Sequence, residues 1–202
     1  MSTVTPVDAG RDEVEEAFRH YFRTGPVNED WKAWSQLFTE DATYNDHFWG
    51  TFHGPSEIQR FLEGTMSFAA HVYSPLLWHV IDGGRIVYKV LNRADNPVAG
   101  RPPLEFPSLQ VITYAGDGRW SSEDDWWTIA EMKLFNQAYQ AARAEAGDAA
   151  ADPLSRADWG EIEWARPEEG HTATPSWLGQ DVPPIGSMRE MTFGVRHPRP
   201  AR

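Results

Sequence analysis

Trp31-Lys-Ala-Trp-Ser-Gln-Leu-Phe-Thr-Glu-Asp-Ala-Thr-Tyr-Asn-Asp46 changes its period partway along. Trp31, Trp34, Leu37 and Phe38 recur at helical spacing and predict a short helix with one apolar side. From Thr43 to Phe52 the residues turn β-branched and aromatic, which predicts an extended segment. Upstream, Val14, Ala17, Phe18, Tyr21 and Phe22 make one face of a helix that Gly25-Pro26 should end. Downstream, Gly54-Pro55-Ser56-Glu57 opens a third helix carrying Ile58, Phe61 and Leu62. Strand-like runs follow at about 72–81 and 85–93, joined by the hairpin signal Asp82-Gly83-Gly84. A Pro/Gly-rich loop over 95–107 leads to strands at 108–114 and 119–127 around Ala115-Gly116-Asp117-Gly118. A last helix starts near Ile129 and buries Met132, Phe135 and Tyr139.

Three helices, four long strands and a closing helix predict an α+β domain. Its helices pack on the concave face of a curved, cone-shaped antiparallel sheet that encloses a pocket. The domain should span 1–146. Residues 147–202 hold seven of the 15 prolines and no sustained period. They are expected to be a Pro-rich C-terminal extension, either disordered or wrapped over the domain or a partner subunit. Trp159, Trp164, Trp177, Leu178, Met188, Met191 and Phe193 favour wrapping, because such side chains are costly to leave in water.

The 202 residues carry 18 Lys+Arg against 30 Asp+Glu, a net charge of −12. Of this, −3 falls in the extension, so the domain itself is acidic and should repel nucleic acid and anionic membranes. No cysteine is present, which removes thiolate metal sites, disulfides and a cysteine nucleophile. No apolar run is long enough to span a bilayer and Met1–Gly10 lack a secretory pattern, so a cytoplasmic protein is expected.

The run 31–46 resembles the entry of the nuclear transport factor 2-like superfamily. Gly50-Thr-Phe-His-Gly-Pro-Ser-Glu-Ile58, the hairpin Ile81-Asp-Gly-Gly-Arg-Ile-Val87 and Ser122-Glu-Asp-Asp-Trp-Trp127 continue the likeness over residues 12–145. Within it, the chain looks most like SnoaL-like polyketide cyclases and ketosteroid isomerase-type proteins. That resemblance implies the cone fold, and it is compatible with isomerases, cyclases, dehydratases, epoxide hydrolases and non-catalytic members. It places Asp46 where the isomerases carry a general base and Gln110 where a donor to the enolate oxygen is expected. The helix-1 tyrosine of the family matches Tyr21 or, without a gap, Phe22. His79 matches a strand on which some dehydratases carry a catalytic histidine, although their acid before Trp31 is here Val27.

Each candidate also has a plain structural reading. Asp46 could cap backbone amides at a strand-end turn. His79 could be an ordinary packed histidine, sharing a face with Leu77 and Ile81 opposite Trp78 and Val80. Glu123, Asp124 and Asp125 alternate faces, so one or two could enter the cone or all could lie on a solvated face. Glu105 could sit at a pocket rim. His47 and His53 with Glu57 lack a third ligand at recognisable spacing, so no metal and no cofactor are expected. Tyr44, Trp49, Trp78, Tyr88 and Trp127 are the aromatic candidates for ligand contact, with Trp126 beside them.

Two functions stay open at this point. One is a cofactor-independent isomerase, cyclase or lyase abstracting a proton from a small hydrophobic carbonyl compound of polyketide, steroid or terpenoid type. The other is a non-catalytic member that binds a small ligand or dimerises. The resemblance implies a homodimer in either case.

Overall fold

The structure is a computed structural model that describes residues 9–170 and 173–182. Met188, Met191, Phe193 and the arginine-rich end of the extension lie outside the described residues. Helix α1 (Arg11–Phe22) buries Val14, Ala17, Phe18, Tyr21 and Phe22, the face read from the sequence. It does not stop at Gly25-Pro26 but widens into a π-helical turn, Arg23–Val27. The wider turn accommodates Pro26, which has no N–H to give. Gly25 is required there, since a Cβ would sit 2.4 Å from the Trp34 ring. Asp30 caps the short helix α2 (Trp31–Ser35) by accepting from the Ala33 amide at 2.9 Å.

Strand β1 (Phe38–Asp46) and the short β2 (Gly50–His53) form a hairpin that feeds α3 (Gly54–Phe68). Then come β3 (Leu76–Asp82), β4 (Arg85–Ala94), β5 (Leu104–Gly116), β6 (Arg119–Trp127) and α4 (Ile129–Ala146). The six strands run in the order β2-β1-β6-β5-β4-β3, antiparallel except for the parallel pair β1–β6. Strand β5 begins earlier than the loop reading allows, because Glu105 and Phe106 already pair with Arg93 and Asn92. Residues 72–75 lie outside β3, joined to the sheet by the bridge Tyr73–Arg93. Among the described residues, no helix is long and apolar enough to cross a membrane.

The alternation of burial along β4, with Ile86, Tyr88 and Val90 inward, marks the concave face. Two apolar clusters fill it. The larger joins α1, α2, the front of α3 and the sheet; the smaller joins Val72, Ala94 and Phe106 to Met132, Phe135 and Tyr139 of α4. Trp127 packs against both.

The extension returns across the domain. Trp159 and Trp177 are buried, and Trp164 packs its ring 5.7 Å from Phe18 and 5.9 Å from Phe22. Arg156 reaches inward to Glu29 at 3.0 Å and to the Ala70 carbonyl at 2.7 Å, with its guanidinium 5.5 Å over the Tyr73 ring. The Ser176 amide donates to the Glu29 carbonyl at 2.9 Å. Within the described residues, therefore, the extension wraps its own domain.

Candidate active site

The strand register lines up one transverse row on the concave face: His79, Tyr88, Gln110, Asp125, Asp46 and Gly50, one residue from each strand. The next row holds Ile81, Ile86, Ile112, Glu123, Tyr44 and Phe52. Neighbours in a row share a face, so Glu123 and Asp125 both point into the cone while Asp124 points out. Asp124 meets the Asn45 amide at 2.9 Å and His47 at 3.4 Å on the convex side.

At the seam between the two apolar clusters lies a cavity of about 160 Å³. Tyr44, Trp49, Phe61 and Leu62 line one part; Val72, Phe106, Met132 and Phe135 line another. It reaches the surface beside Phe68, which is 60% exposed. Asp46 and Asp125 enter this apolar wall side by side, as direct neighbours in the parallel pair β1–β6.

The two carboxyl groups are held differently. Asp46 Oδ1 accepts from the Phe48 and Trp49 amides at 2.8 and 2.6 Å, and Oδ2 accepts from the Trp127 indole at 3.1 Å. The turn-capping reading and a place on the cavity wall are thus both true of Asp46. Burial pushes it above the ordinary Asp value, while the three donors pull it back. Asp125 accepts from the Gln110 amide at 3.0 Å and from the Tyr44 hydroxyl at 3.4 Å. Burial, then the charges of Asp46 and Glu123, push it well above the ordinary value. Neighbouring carboxyl groups in a dry wall titrate as a pair, and the three donors on Asp46 favour the charged form there more than the two on Asp125 do.

The other candidates fall elsewhere. Gln110 stands behind Asp125, outside the cavity lining, with its amide nitrogen committed to Asp125 and, at 2.7 Å, to Ser108. Its hydrogen bonds thus run to an acid of the cavity wall and to Ser108. Tyr21 is the α1 tyrosine that faces the sheet, yet its hydroxyl meets Glu123 at 2.5 Å and Tyr88 at 3.0 Å in the sealed core. Tyr88 is buried there too, and neither it nor Tyr21 lines the cavity. His79 shares the row but lies four strands from Asp46, on the order of 15–20 Å away. It packs between Phe18 and Trp164, at 5.0 and 5.8 Å. The structure does not bring His79 together with Asp46. Trp78 is 43% exposed on the convex face, away from the cavity lining. A bulge between Leu76 and Trp78 puts Leu77 out of step with His79. Tyr44, Trp49 and Trp127 do line the cavity. Glu105 pairs with Arg93 at 2.7 Å. His47 stacks on Trp126 at 4.4 Å, and among the described residues no group of three His, Asp or Glu side chains gathers to hold a metal.

Glu123, one of the acids that strand alternation admits to the cone, is buried in its core. It is 2% exposed, and burial first, then the charges of Asp124 and Asp46, push it up to about 8 against the pull of Tyr21 and Tyr88. Its spacing of two from Asp125 was the available clue.

The family model of the SnoaL-like domain matches residues 18–123. No curated protein matches the chain. Among solved structures, an LEH-like epoxide hydrolase of M. tuberculosis is 15% identical, with a TM-score of 0.52 over 67% of this chain and 98% of that one. TerC, crystallised with polyporic acid, is 13% identical, with a TM-score of 0.50 over 63% and 98%. A nuclear transport factor 2-like protein of unknown function from Burkholderia pseudomallei is 17% identical, with a TM-score of 0.50 over 61% and 96%. At these identities what is shared is the fold.

Proposed function

Because the chain belongs to the SnoaL-like domain family, we propose that it is a cofactor-independent acid–base catalyst acting on a small hydrophobic carbonyl compound. The observation that carries this reading is the pairing of Asp46 and Asp125 on the wall of an otherwise apolar cavity. The Asp46 carboxylate takes a proton from the carbon next to a carbonyl, and the Asp125 carboxyl gives its proton to the carbonyl oxygen. The electron pair of the broken C–H bond becomes the C=C bond of an enol. Asp46 then returns a proton to the same or a conjugated carbon while the enol O–H proton goes back to Asp125 and its electron pair re-forms the C=O bond, which completes an exchange or an isomerisation and resets both acids. Gln110 and Tyr44 position Asp125, and the Trp127 indole with two amides positions Asp46.

Size restricts the substrate. A cavity of about 150 Å³ can hold one benzene ring, so about 160 Å³ encloses a single ring. The test is α-deuteration of cyclohexanone in D₂O, followed by proton NMR. The protein should accelerate exchange over buffer, and Asp46→Asn or Asp125→Asn should each slow it by on the order of 10²–10⁴. Exchange at the buffer rate while the ketone is bound would leave a ligand-binding member with no chemistry of this type.

A further inference from the structure

The polar groups around the cavity divide into those with a partner and those without. Asp46 and Asp125 are bonded as described; Asn92 donates to Ser108 and Asn136 to the Met132 sulfur. Thr65 and His71 also line the cavity, and their Oγ1 and Nε2 atoms are cut off from solvent with no hydrogen-bond partner. Thr65 comes from the end of α3 and His71 from the segment that follows, so both stand on the helical wall while the carboxyl pair stands on the sheet. An unmet polar atom in a dry site costs stability, and here two of them line one small space.

The His71 ring is also held in place. It stacks on Tyr139 at 4.0 Å and 19°, and lies parallel to Phe135 at 5.8 Å. Behind it, the Ala70 carbonyl is held by Arg156 of the extension. Burial, with Arg156 and Arg143 adding to it, pushes the imidazole down to about 4, so it is neutral at pH 7. A neutral imidazole nitrogen either donates or accepts, according to tautomer, and a threonine hydroxyl can do both. A ligand hydroxyl, itself one donor and an acceptor, satisfies the pair in either arrangement. A carboxylate or phosphate finds no cation among the residues that line the cavity, and two acids on the sheet.

We propose that Thr65 and His71 form a receptor for a hydroxyl group on the substrate, which makes the ligand class a neutral, single-ring hydroxy-ketone. This rests on the acid–base reading for the ketone and adds the second functional group. The pair selects and orients the ligand and takes no part in proton transfer.

The test compares 4-hydroxycyclohexanone with cyclohexanone by calorimetry or NMR titration. The native protein should bind the hydroxy-ketone about tenfold more tightly, as expected of a buried site left unpaired by the analogue. Thr65→Val and His71→Phe should each erase most of that preference. Thr65→Val keeps the side-chain shape and removes an unpartnered hydroxyl, so its melting temperature should not fall. Thr65→Ser should restore the preference. Asp46→Asn should keep it, because the preference is read from the helical wall. Equal binding of the two ketones, no binding of either at millimolar concentration, a preference that survives both substitutions, or one lost in Asp46→Asn would each overturn the proposal. A preference without α-deuteration would sink the acid–base reading alone, and deuteration without a preference would sink this one alone.

Discussion

Glu123→Gln should remove a pH dependence from the stability of the fold. The carboxyl closes a triangle with Tyr21, 2.5 Å from one oxygen, and Tyr88, 3.2 Å from the other, the two hydroxyls being 3.0 Å apart. Three such contacts need three protons. The tyrosines bring two, and the third comes from Glu123 only while it is protonated. Ionised, it leaves one contact with lone pairs facing each other, in a site closed to water. This agrees in direction with burial pushing its pKa from the ordinary 4.5 up to about 8. The folded state therefore keeps the proton to higher pH than the unfolded chain does. Its stabilising contribution is complete below the unfolded value and is lost as pH rises through the folded one. The slope within that window is about 1.4 kcal/mol per pH unit, or about 3 kcal/mol by pH 7. Glutamine brings its own N–H, closes the same triangle and does not titrate. The variant should match the native protein near pH 4.5 and exceed it by about 3 kcal/mol at pH 7. Urea denaturation of both proteins from pH 4.5 to 8.5 measures the difference directly. Parallel stability curves, or a variant less stable than the native protein at pH 8, would refute the reasoning.

Two further predictions concern the extension and the convex face. Arg156 and Glu29 form an ion pair with side chains only 10% and 2% exposed, so Arg156→Met should cost about 3–5 kcal/mol by leaving a buried charge alone. Adding Glu29→Gln should recover much of that in a double-mutant cycle; no recovery would mean that the two do not act as a pair. On the convex face Trp78, Val80 and Trp126 are 43%, 56% and 38% exposed, and we propose that a second copy of the chain covers them. Trp78→Glu should lower the mass measured by light scattering from two chains to one, whereas a native protein that already runs as one chain would end that idea.

What could be read from the sequence was local. The helices follow from apolar spacing within a few turns, and Asp46 stands out because a strand-end aspartate sits inside a recognisable run. The rest depended on partners far away in the chain. Asp125 was visible as an acid, but Trp120, Trp126 and Trp127 flank it, so apolar patterning did not show which face entered the cone. Pairing with β1 decides it. Glu123 breaks the rule that cores are apolar, and the tyrosines that make its burial tolerable are 102 and 35 residues away. Thr65 and His71 matter through what they lack, and a missing hydrogen bond leaves no trace in a sequence. The extension has no period because its contacts are single tryptophans and arginines set into separate places on the domain.

The parallel pairing of β1 with β6 bears on how the protein folds. The carboxyl pair meets only when a chain loop of about 80 residues has closed, as in the Trp127–Asp46 bond between residues 81 apart. Loop-closure entropy must be met before that contact gives anything back, so such pairings form late unless neighbouring strands have already aligned. The hairpins β3–β4–β5–β6 can zip from neighbour to neighbour, and the β1–β2 hairpin then docks on a finished edge. In pulse-labelled hydrogen exchange, the amides of Phe48 and Trp49, which hold Asp46, should be protected after those of β4 and β5. The site would then be the last part of the sheet to assemble, and a chain stalled one step short would have most of its core but no facing acids.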